Sequence, residues 1–278
     1  MRRLWQGLNG WRRLLQEAAA ASRRAAAAGS IGEVPAPNGV RLLPIRLGAS
    51  DVCLRVRVGP ISSAGRSGLR YLNLHENEQT SVEAARALLR HQPGTLIELL
   101  AGGGRLVTFR AGWRPFAFDP NRIFSDAGLR ATLRQHGSDT PLARAAVQGL
   151  RDAVLALLAP EPLGLPVVAL HNNAAGRYSV QAYAAGGAHA ADAQAHAVNP
   201  AVSPQDFFLV TRRALFDGLR ARGFNVVLQS EHPWDDGSLA VWFQQQGRAY
   251  VNVEALHGHA AQQQRMLAAV AELALPQR

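Results

Sequence analysis

Lysine is absent from this sequence, and its 30 basic Lys-or-Arg positions are all arginine. The formal net charge of +10 is therefore an arginine charge. Half of it is local, because residues 1–27 hold six arginines against one glutamate. The rest of the chain is only mildly basic and carries none of the usual nucleic-acid motifs, so no nucleic-acid partner is expected. Cysteine is nearly absent too. Cys53 stands alone, which excludes an internal disulfide and any thiolate-rich zinc or iron–sulfur site within one chain. It lies in the alternating run DVCLRVRV and reads as a small buried hydrophobe. No apolar run approaches the roughly 18 residues a membrane span needs. Arg12, Arg13, Arg23 and Arg24 break up every apolar stretch where a secretory signal would lie. Cytoplasm is the default expectation, with the periplasm open if an export signal precedes the chain.

What is present is a core-forming pattern: 47% of residues are hydrophobic over 278 positions, enough for one large domain. Leu4, Leu8, Trp11, Leu15 and Ala18 recur at four- and three-residue steps, so a basic amphipathic helix and linker are expected over residues 1–38. Such a helix could dock on its own domain or a partner, or lie on an anionic membrane surface. The body, residues 39–278, alternates strand-like runs (DVCLRVRV, RYLNL, GTLIELL, LPVVAL, FFLVT, FNVVLQ, AYVNVEAL) with helical ones (SVEAARALLRHQ, LARAAVQGLRDAVLALLA, TRRALFDGLRARG, HAAQQQRMLAAVAELAL). GGGRLVTFRAGWRPFAFD reads as an inserted hairpin, and AYAAGGAHAADAQAHAVNP as a loop at the sheet's rim. The fold class is mixed α/β, a sheet covered by helices.

In open α/β sheets, ligands gather at the carboxyl ends of strands. Three strands here end in reactive side chains: RYLNL in His75-Glu76-Asn77-Glu78, LPVVAL in His171-Asn172-Asn173, and AYVNV in Glu254. A fourth polar group, Phe118-Asp119-Pro120-Asn121-Arg122, closes the hairpin. A histidine three residues before an acid is not rare in this chain, since His136/Asp139, His189/Asp192 and His232/Asp235 repeat it, so spacing alone decides nothing. Catalytic zinc takes three protein ligands and leaves a fourth position for water, and two histidines with one glutamate are a standard set. His75, Glu78 and His171 can supply it, as ligands for one Zn2+. A nearby base must still take the water's proton and pass it on, and Glu254 is the candidate. The bland alternatives are a satisfied strand-end histidine, a helix cap and surface ion pair at Asn121 and Arg122, and a polar edge-strand end at Glu254.

The order His-x-x-Glu, Asn-Arg, strand-ending His, strand-borne Glu resembles the zinc carboxypeptidase superfamily, with HENE and DPNRIF closest to its succinylglutamate desuccinylase/aspartoacylase branch. The resemblance spans roughly residues 68–256. It implies a roughly eight-stranded mixed sheet between helices, zinc on His75, Glu78 and His171, and Glu254 as general base and then acid. Asn121 and Arg122 would grip a substrate carboxylate, a task for which a guanidinium's paired donors are well shaped, and Asn172 would join the substrate-binding set. The family's carbonyl-polarising arginine has three candidates, Arg105, Arg110 and Arg114, of which Arg110 is favoured. The family's mobile tyrosine has no counterpart in EHPWDDGS. The implied activity is hydrolysis of an amide or peptide bond beside a free carboxylate, on peptides such as bacterial cell-wall fragments. Alternatives are N-acyl amino acid deacylation and, in another class, a non-catalytic peptide-binding module. No oligomeric state is assigned.

Overall fold

The computed structural model describes residues 34–36, 39–60, 68–159 and 164–275. In chain order the elements are β1 (Val34–Ala36), β2 (Val40–Leu47), β3 (Ser50–Val58), β4 (Leu69–Asn73), α1 (Gln79–Leu88), β5 (Gly94–Leu100), β6 (Val107–Ala111), β7 (Arg114–Phe118) and α2 (Asp126–Gln135). They continue with α3 (Pro141–Leu158), β8 (Val167–Asn173), β9 (Ala193–Ala197), β10 (Phe207–Val210), α4 (Arg213–Ala221), β11 (Asn225–Gln229), α5 (Leu239–Gln245), β12 (Tyr250–Leu256) and α6 (Ala260–Ala274). The expected basic helix near the N-terminus lies outside the described residues. Three residues of the expected linker form β1, which pairs antiparallel with β2.

Ten strands make one mixed sheet in the order β1-β2-β3-β5-β4-β8-β12-β10-β11-β9, and β6 and β7 form the separate hairpin. The sheet exceeds the expected eight strands through short additions at its edges. One of them, β9, lies in the alanine-rich segment read as loop, where half-exposed alanines give no strand signal. Strands β5, β4, β8 and β12 run parallel to one another, so their carboxyl ends share one rim.

The faces of the sheet are set by period-two alternation. Leu72, Val167, Ala169 and Tyr250 belong to one core with Leu133 of α2, Val147, Leu150 and Val154 of α3, and Phe243 of α5. Tyr71, Val168, Leu170, Val251 and Val253 join the other core, with Ala85 of α1, Leu219 of α4 and Val270 of α6. The result is a sheet between two helical layers, the mixed α/β architecture read from the sequence. It fixes side-chain direction at the rim. His171, Asn252 and Glu254 share the parity of Ala169 and Tyr250 and project toward the α2, α3 and α5 layer, while Asn172 projects to the α1 and α6 side.

Helix α5 was not legible in the sequence, because it is short and follows the polar run EHPWDDG. Its entry is locked by a close approach. Gly237 has φ +77, and a Cβ there would lie 2.5 Å from the Arg122 carbonyl oxygen. One on Gly128 would meet Gly237 Cα at 2.2 Å. Phe124 N–H donates to the Gly237 carbonyl at 2.9 Å, so the segment before α5 and the Asn121-Arg122 turn are pinned together.

Candidate metal centre and active-site cleft

His75 and Glu78 sit on the turn between β4 and α1, where Glu78 N–H donates to the His75 carbonyl at 3.0 Å. His171 comes from β8, the strand beside β4, and Glu254 from β12, where it stands directly opposite His171 in the parallel register. The order β4-β8-β12 thus converts three distant segments into one cluster. All four side chains are buried, His75 completely at 0% exposure.

Glu78 joins the two imidazoles. Its Oε1 lies 3.0 Å from His75 Nδ1 and its Oε2 3.0 Å from His171 Nδ1. The two rings stand 5.3 Å apart between centroids. One ligand atom from each of the three residues falls within 4.8 Å of the others. A tetrahedral centre with bonds of about 2.1 Å separates its ligands by about 3.4 Å, so the cluster needs little movement to close on one ion.

Two further observations fit a metal. His75 Nε2 faces Asp119 Oδ1 at 2.9 Å. In the neutral imidazole that contact would favour the Nε2–H tautomer and leave the Nδ1 lone pair for an ion. Nδ1 itself is buried and misaligned for a hydrogen bond to Glu78 despite its proximity, which leaves it without a partner among the described residues. Electrostatics agree. Burial opposes a proton on His75, but Asp119 and Glu78 outweigh it and push the imidazole up to about 9. Burial likewise acts to raise Glu78 and Asp119. The imidazoles of His171 and His75 hold the Glu78 carboxyl, and His75 and Arg105 the Asp119 carboxyl, well below the usual carboxylate range. The cluster is built to surround positive charge, and its donor set of two nitrogens and a carboxylate suits zinc.

Glu254 is clamped rather than ligated. Asn252 Nδ2 donates to its Oε1 at 3.2 Å and Asn173 Nδ2 to its Oε2 at 3.2 Å. Burial raises its pKa, His171 and the two amides pull it down, Glu78 pushes it up, and the net direction is upward. A carboxylate with a raised pKa is a stronger base, which suits a proton carrier.

Around these groups opens a cleft of about 540 Å³, with Arg105, Asn121, Arg122, Tyr178, Asp236 and Glu254 among its walls. The structure separates the candidate arginines. Arg110, favoured from the sequence, lies on the hairpin strand β6, donates to the Trp113 carbonyl at 2.8 Å, and does not line the cleft. Arg105 does, reaching Glu78 Oε1 at 3.0 Å and Asp119 Oδ2 at 3.2 Å. The sequence misled because Arg110 alternates outward on a strand while Arg105 ends a glycine loop of undefined direction.

That loop also explains the second residue of HENE. Glu76 Oε2 accepts from the N–H groups of Ala101, Gly102 and Gly103 at 2.6, 2.8 and 2.7 Å. Gly102 and Gly103, at φ +108 and +85, turn those amides toward the carboxylate. Glu76 thereby moors the loop that carries Arg105.

Asn121 and Arg122 occupy a short 3-10 turn, Pro120–Arg122. They are not the cap of α2, whose N-cap is Ser125, its Oγ accepting from Gly128 N–H at 3.0 Å. Asn121 Oδ1 accepts from Leu239 N–H at 3.2 Å, and Arg122, which lines the cleft, faces Asp236 at 3.4 Å and donates to the Asn121 carbonyl at 3.0 Å. Asn172, expected to contact substrate, is among the residues lining the cleft, with its side-chain groups engaged by protein partners. Oδ1 accepts from Ser81 N–H at 2.9 Å, and Nδ2 donates to Gln263 Oε1 at 2.8 Å and the Ala255 carbonyl at 3.3 Å. Strand alternation puts it on the far face from His171.

Sequence reasoning missed Asp119, although Asp-x-Asn-Arg was in view, and missed the tyrosine pair Tyr178 and Tyr183. These line the cleft and hydrogen-bond through their hydroxyls. Burial pushes the Tyr178 phenol up, so it stays a donor. Trp234 lines the same cleft at 79% exposure, in the segment where the family resemblance would place a tyrosine.

No protein-family model matches the chain, and no curated protein matches it by sequence. Solved structures do. A succinylglutamate desuccinylase/aspartoacylase from Rhodobacter sphaeroides is similar at 13% identity and a TM-score of 0.43, over 85% of this chain and 66% of the other. The murein-tripeptide amidase MpaA of Escherichia coli O157 is similar at 15% identity and 0.43, over 88% and 98%. A metallo-carboxypeptidase from Burkholderia cenocepacia is similar at 11% and 0.37, over 91% and 69%. By their own names these neighbours are a desuccinylase/aspartoacylase, an amidase and a metallo-carboxypeptidase. The site described above stands on its own geometry.

Proposed function

We propose that this protein is a zinc-dependent hydrolase that cleaves an amide or peptide bond beside a free carboxylate. The observation that carries the reading is the convergence of His75, Glu78 and His171, with ligand atoms within 4.8 Å, beside a buried carboxylate in register with His171. A zinc ion held there would supply Lewis acidity toward a carbonyl and make a water acidic enough to attack near neutral pH.

The remaining work falls to the chain. Glu254, buried with a raised pKa, takes the water's proton and returns it to the departing nitrogen. Asn173 and Asn252 keep its two oxygens aimed while it does so. Arg105, at the edge of the ligand cluster, places a guanidinium where negative charge develops on the carbonyl oxygen. Arg122 offers paired donors to the substrate carboxylate, and Asp236 orients it. Tyr178 and Tyr183 wall the cleft and remain protonated.

Peptides are preferred to acyl amino acids as substrates, because the cleft extends between the segments following β8 and preceding α5 and so offers room beyond one residue. The test is zinc analysis of the purified protein followed by a screen of peptides and N-acyl amino acids. The Glu254→Gln variant should keep its zinc and lose turnover. A zinc-loaded wild type that turns over nothing while binding peptides would favour the non-catalytic module instead.

A further inference from the structure

Helix α1 begins at a candidate metal ligand. Glu78 occupies its N-cap position, yet the side chain faces the two imidazoles and makes no capping bond. A helix start leaves its first amides without intrahelical acceptors, and a buried start must find them elsewhere. The amide of Ser81, third residue of the helix and fully buried, finds Asn172 Oδ1 at 2.9 Å. Asn172 follows His171 in the chain, so the cap missing at one ligand comes from the strand that carries another. Ser81 Oγ closes the turn by donating to the Glu78 carbonyl at 2.7 Å.

The main-chain ladder does not hold these two segments together. Strands β4 and β8 pair from Arg70 and Val167 as far as Leu72 and Ala169, and both histidines lie beyond that last pair. Past it, Asn73 Nδ2 reaches the Leu170 carbonyl at a long 3.5 Å, and the Asn172–Ser81 bond takes over from the ladder. Gln263 of α6 braces that bond. Buried at 0% exposure, it accepts from Asn172 Nδ2 at 2.8 Å through Oε1 and donates from Nε2 to the His171 carbonyl at 3.0 Å. Asn172 Nδ2 also reaches the Ala255 carbonyl at 3.3 Å, beside Glu254. Gly258 N–H donates to Thr80 Oγ1 at 3.0 Å, which ties the turn between β12 and α6 to the same start of α1. Two buried amides thus join the three segments that carry the ligands and the base.

We propose that Asn172 and Gln263 are positioning residues for the metal. From the far face of the sheet they fix the gap between the His75–Glu78 turn and His171, and with it the affinity for zinc. This rests on the zinc-hydrolase reading and adds to it two residues whose side chains act through the ligands.

The test separates positioning from general support of the fold. Zinc affinity is measured by chelator competition, well below the melting temperature of each zinc-free protein, for wild type, Asn172→Leu, Gln263→Met and Val270→Ala. Val270 is a buried α6 residue of the neighbouring core, and its truncation lowers stability without touching the amides. All three variants should melt below wild type. Asn172→Leu and Gln263→Met should weaken zinc by about 10- to 100-fold, the scale of a lost supporting partner, while Val270→Ala should stay within about two-fold of wild type. Unchanged zinc affinity in Gln263→Met overturns the proposal, as does an equal loss in Val270→Ala. Gln263→Met decides the matter if Asn172→Leu does not fold. A wild type that holds no zinc defeats the hydrolase reading and this assignment together, whereas a zinc-binding wild type with indifferent amide variants defeats the assignment alone.

Discussion

Two His-x-x-acid pairs face the same cleft and differ in everything but spacing. His75 and Glu78 are buried, and a third ligand from a neighbouring strand closes on them. His189 and Asp192 also meet, Nδ1 to Oδ2 at 3.2 Å, but their side chains are 45% and 28% exposed, and among the described residues no third metal-ligating side chain joins them. Asp192 instead accepts from Trp234 N–H at 3.1 Å and braces the loop before α5. Spacing only brings two groups within reach. What sets the candidate metal centre apart is the strand end at which the pair sits, because a parallel neighbour brings a third potential ligand there and burial keeps water away from it.

The comparison can be broken most forcefully at the third ligand. His171→Ala should weaken zinc binding by more than about 100-fold, beyond what losing a supporting partner costs, whereas Asp192→Asn should leave zinc stoichiometry unchanged; equilibrium dialysis reads both. Next in size, Glu254→Gln should lower kcat by about 10²–10⁴ with zinc retained, the scale of a lost general base. Retained turnover would move the base elsewhere. Arg105→Ala should cost about 100-fold in kcat, as loss of a transition-state donor does, and Arg110→Ala should stay within about two-fold; equal effects would undo the distinction between the loop and the hairpin. Asp119→Asn should weaken zinc by about 10- to 100-fold by freeing His75 to rotate. The smallest effect belongs to Glu76→Ala, which should speed amide hydrogen exchange at residues 101–104 while leaving zinc content intact.

The sequence showed the strand–helix alternation because long buried strands and amphipathic helices carry strong periodic signals. It also offered His75, Glu78, His171 and Glu254 as candidates, since each interrupts or ends an apolar run, and the fold brings them together. The choice of Arg105 among the three candidate arginines, the contact of Asp119 with His75, and the tyrosine pair were not legible for a physical reason: these residues sit in turns and loops, where direction is set by tertiary contacts such as the Glu76 mooring and the Gly237–Arg122 approach. Asn172 borders the cleft but turns its side chain away from His171, because adjacent strand residues face opposite ways. Helix α5 and strand β9 lacked the length or the apolar contrast to be seen.

Zinc K-edge absorption spectroscopy of the wild-type protein titrated with one equivalent of zinc tests the central claim most directly. The account requires one tightly held ion per chain with two imidazole nitrogens and a carboxylate oxygen at about 2.0–2.2 Å. A zinc shell without two imidazoles, or the same shell persisting in His171→Ala, would contradict it.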